Sequence, residues 1–217
     1  LAADLTTITL DAAEAVKPMP KSTAHGAELA LAYGSSTSRL CDEVCSEPAD
    51  EPAASRTLRQ AADGRFLIGT AASPRHLGNP KLAALIAEQF DCLTAENEFK
   101  PASVHPRAGE FRFSEADKLV DFAREHRMKV VGHTLCWHSQ SPAFLFRGPD
   151  GNPLPRDEAL KNLKEHIDGV MGHFKGKVIG WDVVNEAISD AKGEYLRNTP
   201  ARRAIGDDYI ARAFEFA

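Results

Sequence analysis

Four short apolar runs rich in branched side chains recur between residues 66 and 184, each separated from the next by a stretch with helical spacing. They are Phe66-Leu67-Ile68-Gly69-Thr70-Ala71, Asp91-Cys92-Leu93-Thr94-Ala95, Lys129-Val130-Val131-Gly132-His133 and Val178-Ile179-Gly180-Trp181-Asp182-Val183-Val184. A continuous apolar run, unlike an alternating one, predicts a strand buried on both faces. The intervening stretches carry helix signals. Asn79-Pro80 supplies an N-cap with proline at the first helical position, ahead of Leu82, Leu85, Ile86 and Phe90. Ser114 with Asp117 resembles a capping box and opens a face of Ala116, Leu119, Val120 and Ala123. Leu160, Leu163, Ile167, Val170, Met171 and Phe174 keep helical spacing until Gly176, and Ile210, Ala213 and Phe214 start a last helix.

Strand alternating with helix implies parallel pairing through right-handed crossovers. No glycine-rich phosphate turn follows the first strand, so a dinucleotide fold has no support. Four units amount to half of an eightfold barrel, whose usual size is about 250 residues, and residues 66–217 are too few to close one. The expected class is α/β, a partial (β/α)8 TIM barrel with about its first four βα units. Residues 61–217 are expected to form this half-barrel. Residues 1–60, with one alternating run at 4–10 and then Ala, Ser, Thr, Glu and Pro, are expected to be a linker or the end of an upstream module.

Parallel strands gather their functional groups at their C-terminal ends. Those ends read Thr94-Ala95-Glu96-Asn97-Glu98-Phe99-Lys100-Pro101, then Gly132-His133-Thr134-Leu135-Cys136-Trp137-His138-Ser139-Gln140, then Trp181-Asp182-Val183-Val184-Asn185-Glu186. Amides and carboxylates suit the donors and acceptors of hydroxyl groups, and a flat indole covers the apolar face of a pyranose. Glu186, held against Trp181 and the apolar strand end, is expected to have its pKa raised by desolvation, as a proton donor near neutral pH requires. Taken singly, each residue has a plainer account. His133 or His138 alone reads as a core histidine, Trp137 as core, and Lys100 as a surface partner of Glu96. Zinc ligation by His133, His138 and Glu96 is disfavoured, because the two histidines are five apart rather than the helical four.

The three strand-end blocks, in this order and spacing, resemble glycoside hydrolase family ten, the endo-β-1,4-xylanases. Residues 66–72 and 205–214 are similar to the family's first strand and fourth helix, so the likeness covers about 66–217. The resemblance implies retaining double-displacement hydrolysis of β-1,4-xylosidic bonds, with Glu186 as general acid/base and Asn185 holding the 2-hydroxyl of the sugar at the cleavage point. It places His133, Trp137 and Lys100 around that sugar, Glu96, Asn97 and Gln140 on the next sugar toward the non-reducing end, and His138 beneath the site. It implies xylan or xylo-oligosaccharide as the partner, no metal or other cofactor, and a secreted or periplasmic location. The family's nucleophilic Glu comes from a later strand, so no nucleophile is expected in these 217 residues, which are expected to be inactive without the C-terminal half of the barrel. The sequence departs from the family pattern at Phe144, where Trp is usual, and at Ala201-Arg202-Arg203, where a bulkier aromatic segment is common. The alternative is a truncated, non-catalytic module that binds xylan or serves assembly.

Composition narrows the partners. A formal net charge of -5 argues against nucleic acid or an anionic membrane. No run approaches the ~20 apolar residues of a membrane span, and no basic, apolar leader opens the chain. Of the four cysteines, Cys41 and Cys45 read as a local disulfide or two free thiols, and Cys92 and Cys136 as small buried residues.

Overall fold

The computed structural model describes residues 56–217; the alternating run at 4–10 and the Cys41/Cys45 pair lie outside the described residues. In chain order the elements are α1 (Leu58–Ala62), β1 (Gly69–Ala72), α2 (Pro74–Leu77), α3 (Pro80–Gln89), β2 (Cys92–Ala95), α4 (Pro101–Val104), α5 (Ser114–Glu125), β3 (Lys129–Cys136), α6 (Arg156–Phe174), β4 (Gly180–Val184), α7 (Pro200–Ile205) and α8 (Tyr209–Phe216). The strands form one sheet in the order β1-β2-β3-β4, every neighbour parallel. Each strand therefore lies beside the strand that follows it in sequence, as in the first half of a (β/α)8 barrel.

The helices form where capping and periodicity direct them. Asn79 accepts from the amides of Lys81 and Leu82 and Pro80 opens α3, as its sequence predicts. Ala116, Leu119, Val120 and Ala123 are the buried face of α5, and Leu163, Ile167, Val170 and Phe174 lie on the buried face of α6. Gly176, just past α6, has φ +75°, a left-handed turn that glycine makes without strain. These faces pack on Leu93, Val130 and Val183 of the sheet, with Phe99 and Phe174 in ring contact at 4.6 Å.

Three expectations require correction. Ser114 does not cap α5: Phe113 holds the N-cap position and its carbonyl accepts from the Asp117 amide, while the Asp117 carboxylate turns to His173 Nε2 at 2.8 Å. The first strand is shorter than residues 66–71 and is not buried on both faces; Phe66 is 62% exposed and Gly69 and Ala71 are exposed. The fourth strand likewise begins at Gly180, with Ile179 54% exposed and Asp182 exposed. Both are edge strands among the described residues. Only β2 and β3 have a strand on each side.

Candidate active site

The C-terminal ends of β2, β3 and β4 lie side by side, and the register shows how closely. Ala72 pairs with Ala95, Thr94 with Val131, His133 with Asp182, and Cys136 with Val184. The third strand runs to Cys136 rather than ending at His133, so His133 is a mid-strand residue. Its peptide with Thr134 is cis, and the register with β4 shifts between His133 and Cys136. Thr134 Oγ1 donates to the Asp182 carbonyl at 2.6 Å, and the Asn185 amide donates to the Cys136 carbonyl at 2.9 Å, which locks the β3 and β4 ends together.

On this rim the side chains form a connected set. Lys100 is buried, and its Nζ donates to Asn97 Oδ1 at 2.9 Å rather than pairing with Glu96. Gln140 Nε2 donates to the same oxygen at 3.3 Å. The Lys100 ammonium also stands 4.9 Å from the centre of the Trp137 ring, within cation–π range. Trp137 Nε1 in turn donates to Glu186 Oε2 at 3.0 Å, and His138 Nδ1 lies 3.7 Å from that oxygen. At that distance His138 Nδ1 makes no hydrogen bond; it is buried without a partner beneath the carboxylate. His133 Nδ1 meets Asp182 Oδ2 at 2.8 Å, with its ring 6.3 Å from that of Trp137. Asn97, Lys100, Gln140, Trp137 and Glu186 are therefore linked through direct contacts, with His133 and His138 adjoining.

Two expected residues stand apart from that set. Glu96 is exposed and approaches His76 Nδ1 at 4.0 Å. The Asn185 side chain makes no hydrogen bond to the described residues. Trp181 also differs from expectation: it packs over Gly132 and edge-on to Phe99 at 5.6 Å, on the helix side of the sheet. The indole beside Glu186 is that of Trp137, and the Glu186 side chain is 48% exposed, so burial against Trp181 does not set its environment.

Backbone geometry marks the same place. Glu186 and Gln140 have φ of 52° and 46°, the left-handed region that non-glycine residues seldom occupy. Such conformations persist only where surrounding contacts over-determine them, and they cluster at functional sites. For Glu186 one such contact is Arg197, whose Nε donates to the Glu186 carbonyl at 3.0 Å while its Nη2 holds Asp190 at 2.6 Å.

Asp182 and Arg197 join the site without having been singled out by sequence. For Asp182 the signal was present: between Trp181 and Val183 it must face the opposite side of the strand. Phe144 faces inward, edge-on to the buried His105 ring at 4.9 Å, and Ala201 is buried in α7. Cys92 and Cys136 are free and buried; burial pushes the Cys136 thiol up to about 12 and raises that of Cys92, which disfavours the thiolate at both. No group of three or more His, Cys, Asp or Glu side chains among the described residues is arranged to hold a metal ion.

The family model for Glycosyl hydrolase family 10 matches residues 57–217. The Beta-1,4-xylanase of Dictyoglomus thermophilum is 43% identical over 161 residues, which is 74% of this chain and 44% of that protein. The crystal structure of xylanase XynB from Paenibacillus barcinonensis, complexed with a conduramine derivative, superposes with a TM-score of 0.71 at 40% identity, covering 76% of this chain and 49% of that one. TsXylA, an intracellular xylanase from Thermoanaerobacterium saccharolyticum solved as a mutant with xylotetraose, gives a TM-score of 0.70 at 42% identity, covering 76% and 53%. The chain spans less than half the length of the curated relatives it matches.

Proposed function

The chain belongs to glycosyl hydrolase family 10, and on that footing we propose that its residues 61–217 supply the acid/base half of a retaining endo-β-1,4-xylanase. The carrying observation is the contact of Glu186 Oε2 with Trp137 Nε1 at 3.0 Å, on the rim where Lys100, Asn97 and Gln140 meet. In the first step Glu186 gives its proton to the glycosidic oxygen as the bond from that oxygen to the anomeric carbon breaks, while a second carboxylate bonds to the anomeric carbon. In the next, the Glu186 carboxylate takes a proton from water, whose oxygen displaces the second carboxylate.

Asn185 accordingly holds the 2-hydroxyl of the sugar at the cleavage point. His133, Trp137 and Lys100 surround that sugar, and Glu96, Asn97 and Gln140 grip the next one toward the non-reducing end. His138 supports Glu186 from below. A retaining mechanism needs its two carboxylates about 5 to 5.5 Å apart. Among the described residues, Asp190, Glu194, Asp207, Asp208 and Glu215 follow Glu186, and none stands at the end of a sheet strand. The nucleophile is therefore assigned outside these residues, and the 217-residue chain is inactive alone. Export from the cytoplasm is proposed on family grounds only.

Leaving-group dependence tests the acid role. In the complete enzyme, Glu186→Ala slows hydrolysis of xylan and of aryl xylosides with poor leaving groups, and spares the first step for leaving groups that need no proton. An equal loss for all leaving groups removes Glu186 from this role.

A further inference from the structure

Asp182 sits outside the set of residues that the proposed reaction uses, yet it makes the shortest contact with His133. Paired residues on neighbouring parallel strands face the same side of the sheet, and His133 pairs with Asp182. Their side chains meet at Nδ1 and Oδ2, 2.8 Å apart. Thr134 Oγ1, bonded to the Asp182 carbonyl, holds the two strands together at the same step. An ionised carboxylate only accepts hydrogen bonds, so the hydrogen in this contact belongs to Nδ1. In a neutral ring Nε2 is then left as an acceptor, and it has no hydrogen-bond partner among the described residues.

We propose that Asp182 is a positioning residue that holds His133 in its Nδ1–H tautomer, so that Nε2 accepts a hydrogen bond from a hydroxyl of the bound sugar. This rests on the sugar-binding reading of the rim for its ligand, but not for its tautomer. The second nitrogen of a histidine takes its role from the partner of the first, which is why a carboxylate at Nδ1 carries functional meaning. The neighbouring donors make an acceptor useful. Trp137 Nε1, Lys100 Nζ and Gln140 Nε2 all donate on this rim, whereas a hydroxyl hydrogen of the sugar needs an acceptor such as Nε2.

The test uses the complete enzyme. Nitrogen-15 correlation spectra, recorded at a pH where the ring is neutral, should show the His133 proton on Nδ1 in the wild type and on Nε2 in Asp182→Ala, with Asp182→Glu restoring Nδ1. On xylan, Asp182→Ala should lower kcat/KM by about 10- to 100-fold, the loss associated with one misdirected hydrogen bond to a bound substrate. In a His133→Ala background the same change should cost less than about threefold, because the two side chains act as one unit. A wild-type proton on Nε2, or a tautomer unmoved by Asp182→Ala, overturns the assignment. So does full additivity of the two substitutions, which marks a separate structural effect. If the tautomer switches as stated while the wild-type enzyme leaves xylan untouched, the positioning role stands and the xylanase reading falls.

Discussion

The indole nitrogen of Trp137 donates to Oε2 of Glu186 across 3.0 Å, joining the loop after β3 to the loop after β4. A hydrogen bond to a charged group contributes about 1.5 to 3 kcal/mol. Trp137→Phe keeps most of the ring and removes the donor. In the complete enzyme it should lower kcat/KM on xylan by about 10- to 100-fold. Thermal melting, little changed in this variant, separates the effect from loss of fold.

The buried pair His105 and His166 predicts acid sensitivity. Their Nδ1 atoms are 3.3 Å apart, both rings are fully buried, and both Nε2 atoms lack partners. Burial lowers the pKa of each; His166 falls to about 3, helped by His105, and the nearby Glu165 opposes the shift at His105. The unfolded chain therefore binds protons first. The stability the neutral pair contributes is present above the ordinary histidine value of 6.5 and is lost as pH falls from there toward about 3. His105→Gln should flatten that dependence. Urea midpoints compared between pH 7 and 4.5 check it, and parallel curves for the two proteins contradict it.

Gly132 lies beneath Trp181, and a Cβ there would meet the indole ring directly. Gly132→Ala should destabilise by about 1 to 3 kcal/mol, the usual range for overpacking a filled site. Because Gly132 pairs with Trp181 and His133 with Asp182, the displaced ring would strain the next pair as well. Denaturant unfolding gives the first quantity, and the His133 resonance in the same variant reports the second.

For the isolated 217-residue chain, the expectation is no release of xylo-oligosaccharides, since the nucleophile is assigned elsewhere. Release by the purified chain that disappears in Glu186→Gln would contradict this. Retention of the folded chain on xylan without turnover would instead favour a binding module.

Much of the architecture was readable because its signals are local. Asn79-Pro80 begins α3 through contacts within one turn, and the α5 face of Ala116, Leu119, Val120 and Ala123 follows from spacing alone. The strand-end residues were legible for a related reason: parallel strands leave their C-terminal ends on one rim. What sequence did not show depends on neighbours. Spacing can say that Trp181 and Asp182 face opposite ways, but only the register shows Trp181 against Phe99 and Asp182 against His133. The choice between Trp137 and Trp181 as the partner of Glu186 turned on the same point. Burial of β1 and β4 was overestimated because an apolar run does not reveal whether a strand has one neighbour or two. Ser114 matched a capping pattern in composition, yet the chain enters α5 through Phe113 and spends Asp117 on His173.

The strand order β1-β2-β3-β4 has a consequence for how the molecule is made. As each strand after β1 emerges during synthesis, the strand before it, with which it pairs, has already been translated. Assembly can thus proceed in the direction of translation, with no early strand among these four waiting for a distant one. The rim residues that follow β2, Asn97 and Lys100, would be in place first, and Glu186, just past β4, would join a rim already built to receive it.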